Sequence, residues 1–209
     1  ETILPALTLA TFLAVRHWWR TGLTRWAVLV GVCAGLMQAT KATAPLFLIL
    51  AFAAFALVRG TARPATRRPR RDAAFAVLAA ALVAGLLYSS FGTHLAGLRD
   101  ALSVYTHAAQ RFGAEAAPTG HEKPWWYYLR LFGWFREGGL VWHQAAFSAL
   151  ALIGAGVAVF RRDSLLRGIT VYALLLFAAF SCLAYKTPWH AVHFVAPLAL
   201  LAAAALAAI

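Results

Sequence analysis

A lysine, two histidines and a tryptophan stand between two strongly apolar runs in the stretch YKTPWHAVHFVAP, Tyr185 to Pro197. These residue types can hold a phosphate, move a proton or ligate a metal. Lysine is a compact point charge suited to phosphate, and imidazole changes charge near neutral pH. His190 and His193 are three residues apart and could share a helix face. Two histidines with no evident third ligand do not make a zinc set, so the reading is no metal site and no certain cofactor. A divalent ion helping to hold a phosphate is left open.

Two further stretches carry the same kind of chemistry. GHEKPWWYYL, Gly120 to Leu129, offers His121, Glu122, Lys123, Trp125 and Tyr128, and GLMQATKATA, Gly35 to Ala44, offers Lys41. HEKPW lacks the second histidine of a zinc-protease helix. A Gly-rich phosphate loop, a serine nucleophile elbow and a cysteine cluster are absent from the sequence. Cys33 and Cys182 each lie within an apolar run and read as small buried hydrophobes.

The elements that position these groups are membrane helices. With 62% hydrophobic residues, 12% charged residues and a mean hydropathy of +0.71, the chain has more apolar surface than a soluble protein of 209 residues could bury. Apolar runs near the spanning length fall at about 2–16, 26–43, 44–58, 73–91, 144–160, 168–185 and 190–209. The expected architecture is all-α, a polytopic transmembrane bundle of about seven helices, with Pro45 at a tight turn between the second and third. Residues 1–91 hold the first four helices and 144–209 the last three. The chain opens on Glu1 and reads as part of a longer protein.

A formal net charge of +12 raises the question of nucleic acid, but the position of the charge answers it. Stretches 16–25, 59–72 and 161–167 carry 12 of the 19 basic residues, including the run RRPRR, and read as cytoplasmic anchors in the inner membrane. No nucleic-acid partner is expected. The segment 92–143 is then extracytoplasmic. Within it, Leu95, Leu98, Leu102, Tyr105, Ala109 and Phe112 recur at helical spacing, and PWWYYLRLFGWF reads as a second interfacial helix beginning at Pro124.

This topology gathers Glu1, Lys41, His94, His121, Glu122, Lys123, Lys186, His190 and His193 on the outer side. Lys41 lies 15 residues beyond Trp26, roughly 22 Å along a helix. An ammonium at that depth needs a partner or a wet cavity. A lipid-linked sugar phosphate would meet it with a charge at the interface, an apolar tail in the bilayer and a sugar outside.

The three quoted stretches together resemble motifs of the GT-C membrane glycosyltransferases. They look like motifs of a multi-pass family related to the flippase-activity-associated proteins of archaeal N-glycosylation, which stands alongside the protein O-mannosyltransferases and aminoarabinose transferases. The resemblance implies transfer of a sugar from a polyprenyl-phosphate donor to a glycan, lipid or protein acceptor on the outer side. It implies donor-phosphate and lipid contacts from Lys41, Lys186, Tyr185, Trp189 and His190, and an outer cavity lined by Glu1, His121, Trp125, Tyr128 and His193. The catalytic carboxylate of such enzymes would lie upstream of Glu1. A transporter of lipid-linked sugars and a non-catalytic subunit of cell-envelope glycan assembly are the alternative readings.

Overall fold

The computed structural model describes residues 2–59, 64–112, 121–183 and 185–208, and for residues 107–112, 137, 140 and 142 the backbone alone. The described chain is nearly all-α and falls into two compact units, residues 2–52 with 64–112, and residues 53–59 with 121–208. Helix α3, Ala44–Arg59, contributes to both.

In the first unit, α1 (Ile3–Thr21) packs on α2 (Thr24–Thr40), and α2 packs on α4 (Pro69–Tyr88). Glycine at the interface lets the backbones meet. A Cβ on Gly31 would overlap the Ala76 carbonyl oxygen, and one on Gly35 would fall 2.7 Å from that of Ala80. Gly31 and Gly35 are one turn apart and so are Ala76 and Ala80, so two rows of small residues lie against each other. Thr8 and Thr11, both buried in α1, satisfy their hydroxyls on the Leu4 and Leu7 carbonyls at 2.8 Å.

The ends of these helices are fixed by Asp72, whose carboxylate is fully buried. It accepts from Thr66 Oγ1 at 2.7 Å, Thr24 Oγ1 at 2.9 Å, Trp18 Nε1 at 3.1 Å and Arg71 at 3.3 Å. One acid thus joins the last turn of α1 to the starts of α2 and α4. Gly22 closes α1 with φ 67°, and a side chain there would also strike the backbone of Ala65 and Thr66. Beyond α4 a tight turn leads to α5, Ala96–Phe112, the helix expected from the leucine spacing.

In the second unit, α6 (Tyr127–Phe132) is followed by a hairpin of β1 (Trp134–Glu137) and β2 (Leu140–His143). Then come α7 (Ala145–Phe160), α8 (Ser164–Cys182), a 3-10 turn at Pro188–Ala191 and α9 (Val192–Leu206). Helix α7 lies along α9, where a Cβ on Gly154 would overlap the Leu201 carbonyl, and Ala151, Ile169 and Leu201 form a buried cluster.

Several expectations are corrected here. Among the described residues three segments, Pro69–Tyr88, Ser164–Cys182 and Pro188–Leu206, are long and apolar enough to cross a membrane, rather than about seven. Helices α3 and α7 are apolar but only 16 residues long, roughly 24 Å against the ~30 Å hydrocarbon core. The apolar part of α1 is shortened by Arg16, His17 and Arg20 in its last turns. Arg16, Arg20, Arg25, Arg70, Arg71 and Arg167 are helical, because arginine is a good helix former and the helices outrun their apolar cores. The turn before α3 is Lys41–Thr43, with Pro45 already in the helix's first turn, where a missing N–H costs no bond. The aromatic stretch after Pro124 yields one short helix and then the hairpin, because Gly138 and Gly139 have φ 57° and 85° and make a two-residue reversal. Cys33 is buried, but Cys182 is exposed at the last position of α8.

The close helix contacts give the first prediction. Gly31→Leu and Gly154→Leu should each lower the thermal stability of the purified chain in detergent by about 1–3 kcal/mol or more, through forced separation of backbones. Gly85 has open space where its Cβ would stand. Gly85→Ala should therefore be neutral or slightly stabilising in the same melt.

Candidate functional site

The two stretches with the most polar groups, 121–128 and 185–193, meet in the second unit. Each contains a residue followed by proline, Lys123–Pro124 and Thr187–Pro188, and the residue before proline is pushed away from helical toward extended backbone. Thr187 is extended, at φ −130° and ψ 149°. The segments pair accordingly: Glu122 stands opposite Tyr185 in an antiparallel bridge, and the Lys186 N–H donates to the His121 carbonyl at 2.9 Å.

Lys186 locks this pairing with its side chain. Only 2% of the residue is exposed. Its ammonium donates to the Lys123 carbonyl at 3.1 Å and to the Leu183 carbonyl. The lysine therefore ties the residue before Pro124 to the end of α8, using two of its three N–H donors. Burial pushes its pKa below the usual lysine range, with the thiol of Cys182 acting in the opposite sense.

A second link runs through Tyr128, fully buried in α6. Its hydroxyl donates to the Thr187 carbonyl at 3.2 Å and lies 3.3 Å from His190 Nδ1, while Thr187 Oγ1 lies 3.2 Å from the same nitrogen. With the phenol proton committed to the carbonyl, the network is consistent with a proton on Nδ1 and a lone pair on Nε2. Burial raises the Tyr128 pKa above the ordinary phenol range, so it remains a neutral donor. Phe180 and Phe194 pack against its ring at 6.0 and 5.1 Å, and Phe180 also faces His190 and His193 at 5.3 and 6.2 Å.

At the outer edge of the cluster the His121 ring stands edge-on to Tyr185 at 5.1 Å and to Trp189 at 6.3 Å. Trp189 is half exposed. Polar and ionisable groups thus lie beneath an aromatic rim, an arrangement that can bind a sugar face above and an anion below.

Of the residues singled out from sequence, His121, Tyr128, Tyr185, Lys186, Trp189, His190 and His193 converge here. Trp125 is exposed and stands edge-on to Trp126 at 5.9 Å. Lys41 and His94 belong to the first unit: Lys41 follows the last turn of α2, its N–H on the Met37 carbonyl at 3.1 Å, and His94 lies in the turn beyond α4. Glu1 lies outside the described residues. His190 and His193 have ring centroids 6.3 Å apart, and among the described residues no three His, Cys, Asp or Glu are grouped to hold a metal ion.

Sequence reasoning overlooked Thr187, Phe180 and the carbonyls of Lys123 and Leu183. The two X-Pro steps were the available signal for the extended backbone; the carbonyl partners left none. No protein-family model matches the chain, and neither the curated proteins nor the solved structures contain a match.

The bonds predict separable stability losses. Tyr128→Phe removes one hydroxyl from Thr187 and His190 and should cost about 1 kcal/mol, whereas Lys186→Met takes the charged donor from the Lys123 and Leu183 carbonyls and should cost about 2–3 kcal/mol. Differential scanning fluorimetry in detergent measures both.

Proposed function

We propose that this chain is part of a membrane glycosyltransferase of the GT-C type, acting on a polyprenyl-phosphate-linked sugar. The observation that carries the reading is the meeting of HEKPW and YKTPWH in one bonded cluster, which holds the buried Lys186 and His193 together with the rings of His121, Tyr185, Trp189 and His190. The cluster also sits between two apolar helices, α8 and α9, which suits a ligand with a charged head and a lipid tail.

The orientation follows from charge. Arg70 and Arg71 begin α4, and Arg161, Arg162 and Arg167 flank the start of α8. By the positive-inside rule both starts face the cytoplasm, so the turn bearing Lys186 and the segment 121–143 are extracytoplasmic. Helices α5 and α6 then lie at the outer interface.

In the proposed reaction an acceptor nucleophile on a glycan, lipid or protein attacks the anomeric carbon. The bond from that carbon to the phosphate oxygen breaks, and polyprenyl phosphate leaves with the electron pair. The acceptor's proton passes to a general base, which the resemblance expects to be a carboxylate. Lys186 lowers the barrier by placing positive charge at the leaving phosphate. Tyr185, Trp189 and His190 shape the donor side, while His121, Trp125, Tyr128 and His193 line the sugar side. This chemistry draws on no nucleotide cofactor.

The test uses the longest natural form of the protein, purified in detergent. Binding of a polyprenyl-phosphate sugar should fall at least about tenfold in Lys186→Ala, while Tyr172→Phe, at a buried position of α8 outside the cluster, keeps it within about threefold. Adding an acceptor extract should release free polyprenyl phosphate. Unchanged binding in Lys186→Ala overturns the phosphate assignment. Lysine-dependent binding with no release in any extract overturns the transferase and leaves a transporter of lipid-linked sugars.

A further inference from the structure

The first unit carries a second arrangement of positive charge, distant in sequence from the motifs above and formed by three helix ends. There α1 finishes with Arg20, α2 begins with Thr24 and Arg25, and α4 begins with Pro69, Arg70 and Arg71. Two of these arginines are held in place by neighbours. Arg71 donates to Thr24 Oγ1 at 2.9 Å and to Asp72 at 3.3 Å, and its guanidinium lies 5.9 Å from the Phe75 ring centre. Arg25, the next residue after Thr24, has its guanidinium 5.5 Å from the Trp26 ring centre, and His17 stacks on that same indole at 4.7 Å. A stacked guanidinium has lost much of its freedom already, so ordering it on a ligand costs less.

The one acid at this corner is inward. Asp72 is fully buried and shared among four donors, whereas the Arg71 side chain is 48% exposed and Arg20, Arg25 and Arg70 are exposed. Partial positive charge at the starts of α2 and α4 adds to that of the arginines. The surface therefore selects an anion with several acceptor oxygens.

What lies next to the arginines selects the kind of anion. Helix α4 is long and apolar enough to cross a membrane, and below Arg71 it exposes Phe75, Val77, Leu78 and Leu82. With α4 in a bilayer, its first turn stands at headgroup level and this apolar face meets acyl chains. A phosphate above and hydrocarbon below is the profile of a phospholipid.

We propose that the corner formed by the end of α1 and the starts of α2 and α4 binds the headgroup phosphate of an anionic phospholipid, with Arg25 and Arg71 as its ligands. Arginine suits this better than lysine, because its planar fork can donate two parallel bonds to one phosphate. The lipid would hold together helix ends that Asp72 joins from within.

Native mass spectrometry of the full chain, released from neutral detergent, reads the binding directly. Phosphatidylglycerol should bind at least about tenfold more tightly than phosphatidylcholine of the same chain length, and Arg25→Gln and Arg71→Gln should each weaken it about fivefold. Arg25→Lys should recover only part of that loss. Arg130→Gln is the control, since Arg130 is likewise stacked on an aromatic ring, Phe135, but belongs to the second unit; it should bind like wild type. Because Arg71 touches Asp72, Arg25→Gln is the decisive variant. Equal affinity for the two lipids, or wild-type affinity in Arg25→Gln, overturns the proposal. So does displacement of the lipid by equimolar inorganic phosphate, or tighter binding of a single-stranded RNA oligomer through the same arginines.

Discussion

An ammonium buried against two backbone carbonyls is the interaction on which the candidate site depends. Lys186 reaches the carbonyls of Lys123 and Leu183, so its side chain fastens the strand before Pro124 to the end of α8. The backbone bond from Lys186 to His121 and the Tyr128 hydroxyl on Thr187 act on the same seam. A charge removed from water is costly unless it is well hydrogen-bonded. The two carbonyls meet that need, and the same bonds that satisfy the lysine bring His121, His190 and the rim aromatics together. A lysine in this position is structural and electrostatic at once: it organises the cluster and gives it a positive interior.

The helices that carry the seam obey the limits of a lipid environment. Association there depends on close contact more than on burial of apolar surface, and glycine supplies the contact in both units. Gly31 and Gly35 bring α2 onto α4, and Gly154 brings α7 onto α9. Several polar groups inside are satisfied in place, as with the back-bonded Thr8 and Thr11 and the four donors around Asp72. Arginines gather at helix ends, where a long side chain reaches headgroups while its backbone stays helical.

How much of this was legible depended on whether the signal was local. The apolar runs placed α4, α8 and α9 within a few residues, and leucine spacing found α5. Composition alone marked the stretches around His121 and Lys186 as unusual, and the structure brings those two together. Run lengths misled where the apolar part of a helix is shorter than the helix itself, so seven candidate spans became three of sufficient length among the described residues. The hairpin at Trp134–His143 was missed although Gly138 and Gly139 announce it, because the flanking aromatics also fit an interfacial helix. Carbonyl partners such as Leu183 leave no trace in side-chain identity. Nor do the donors around Asp72, which come together from Trp18, Thr24, Thr66 and Arg71. The catalytic carboxylate and Glu1 belong to the parts of the reading that rest on family resemblance alone.

The pairing of the two segments is the central claim, and a cysteine pair tests it most directly. The bond from Lys186 N–H to the His121 carbonyl makes Glu122 and Tyr185 a pair without mutual backbone bonds, the closer kind in an antiparallel ladder, with Cα atoms about 4.5 Å apart. In a Cys33→Ala, Cys182→Ala background, Glu122→Cys with Tyr185→Cys should form an intramolecular disulfide in the membrane under mild oxidation, detected by mass spectrometry. Lys123→Cys with Tyr185→Cys, whose side chains leave opposite faces of the bridge, should stay reduced. A reduced Glu122–Tyr185 pair, or equal cross-linking of both pairs, would contradict the account.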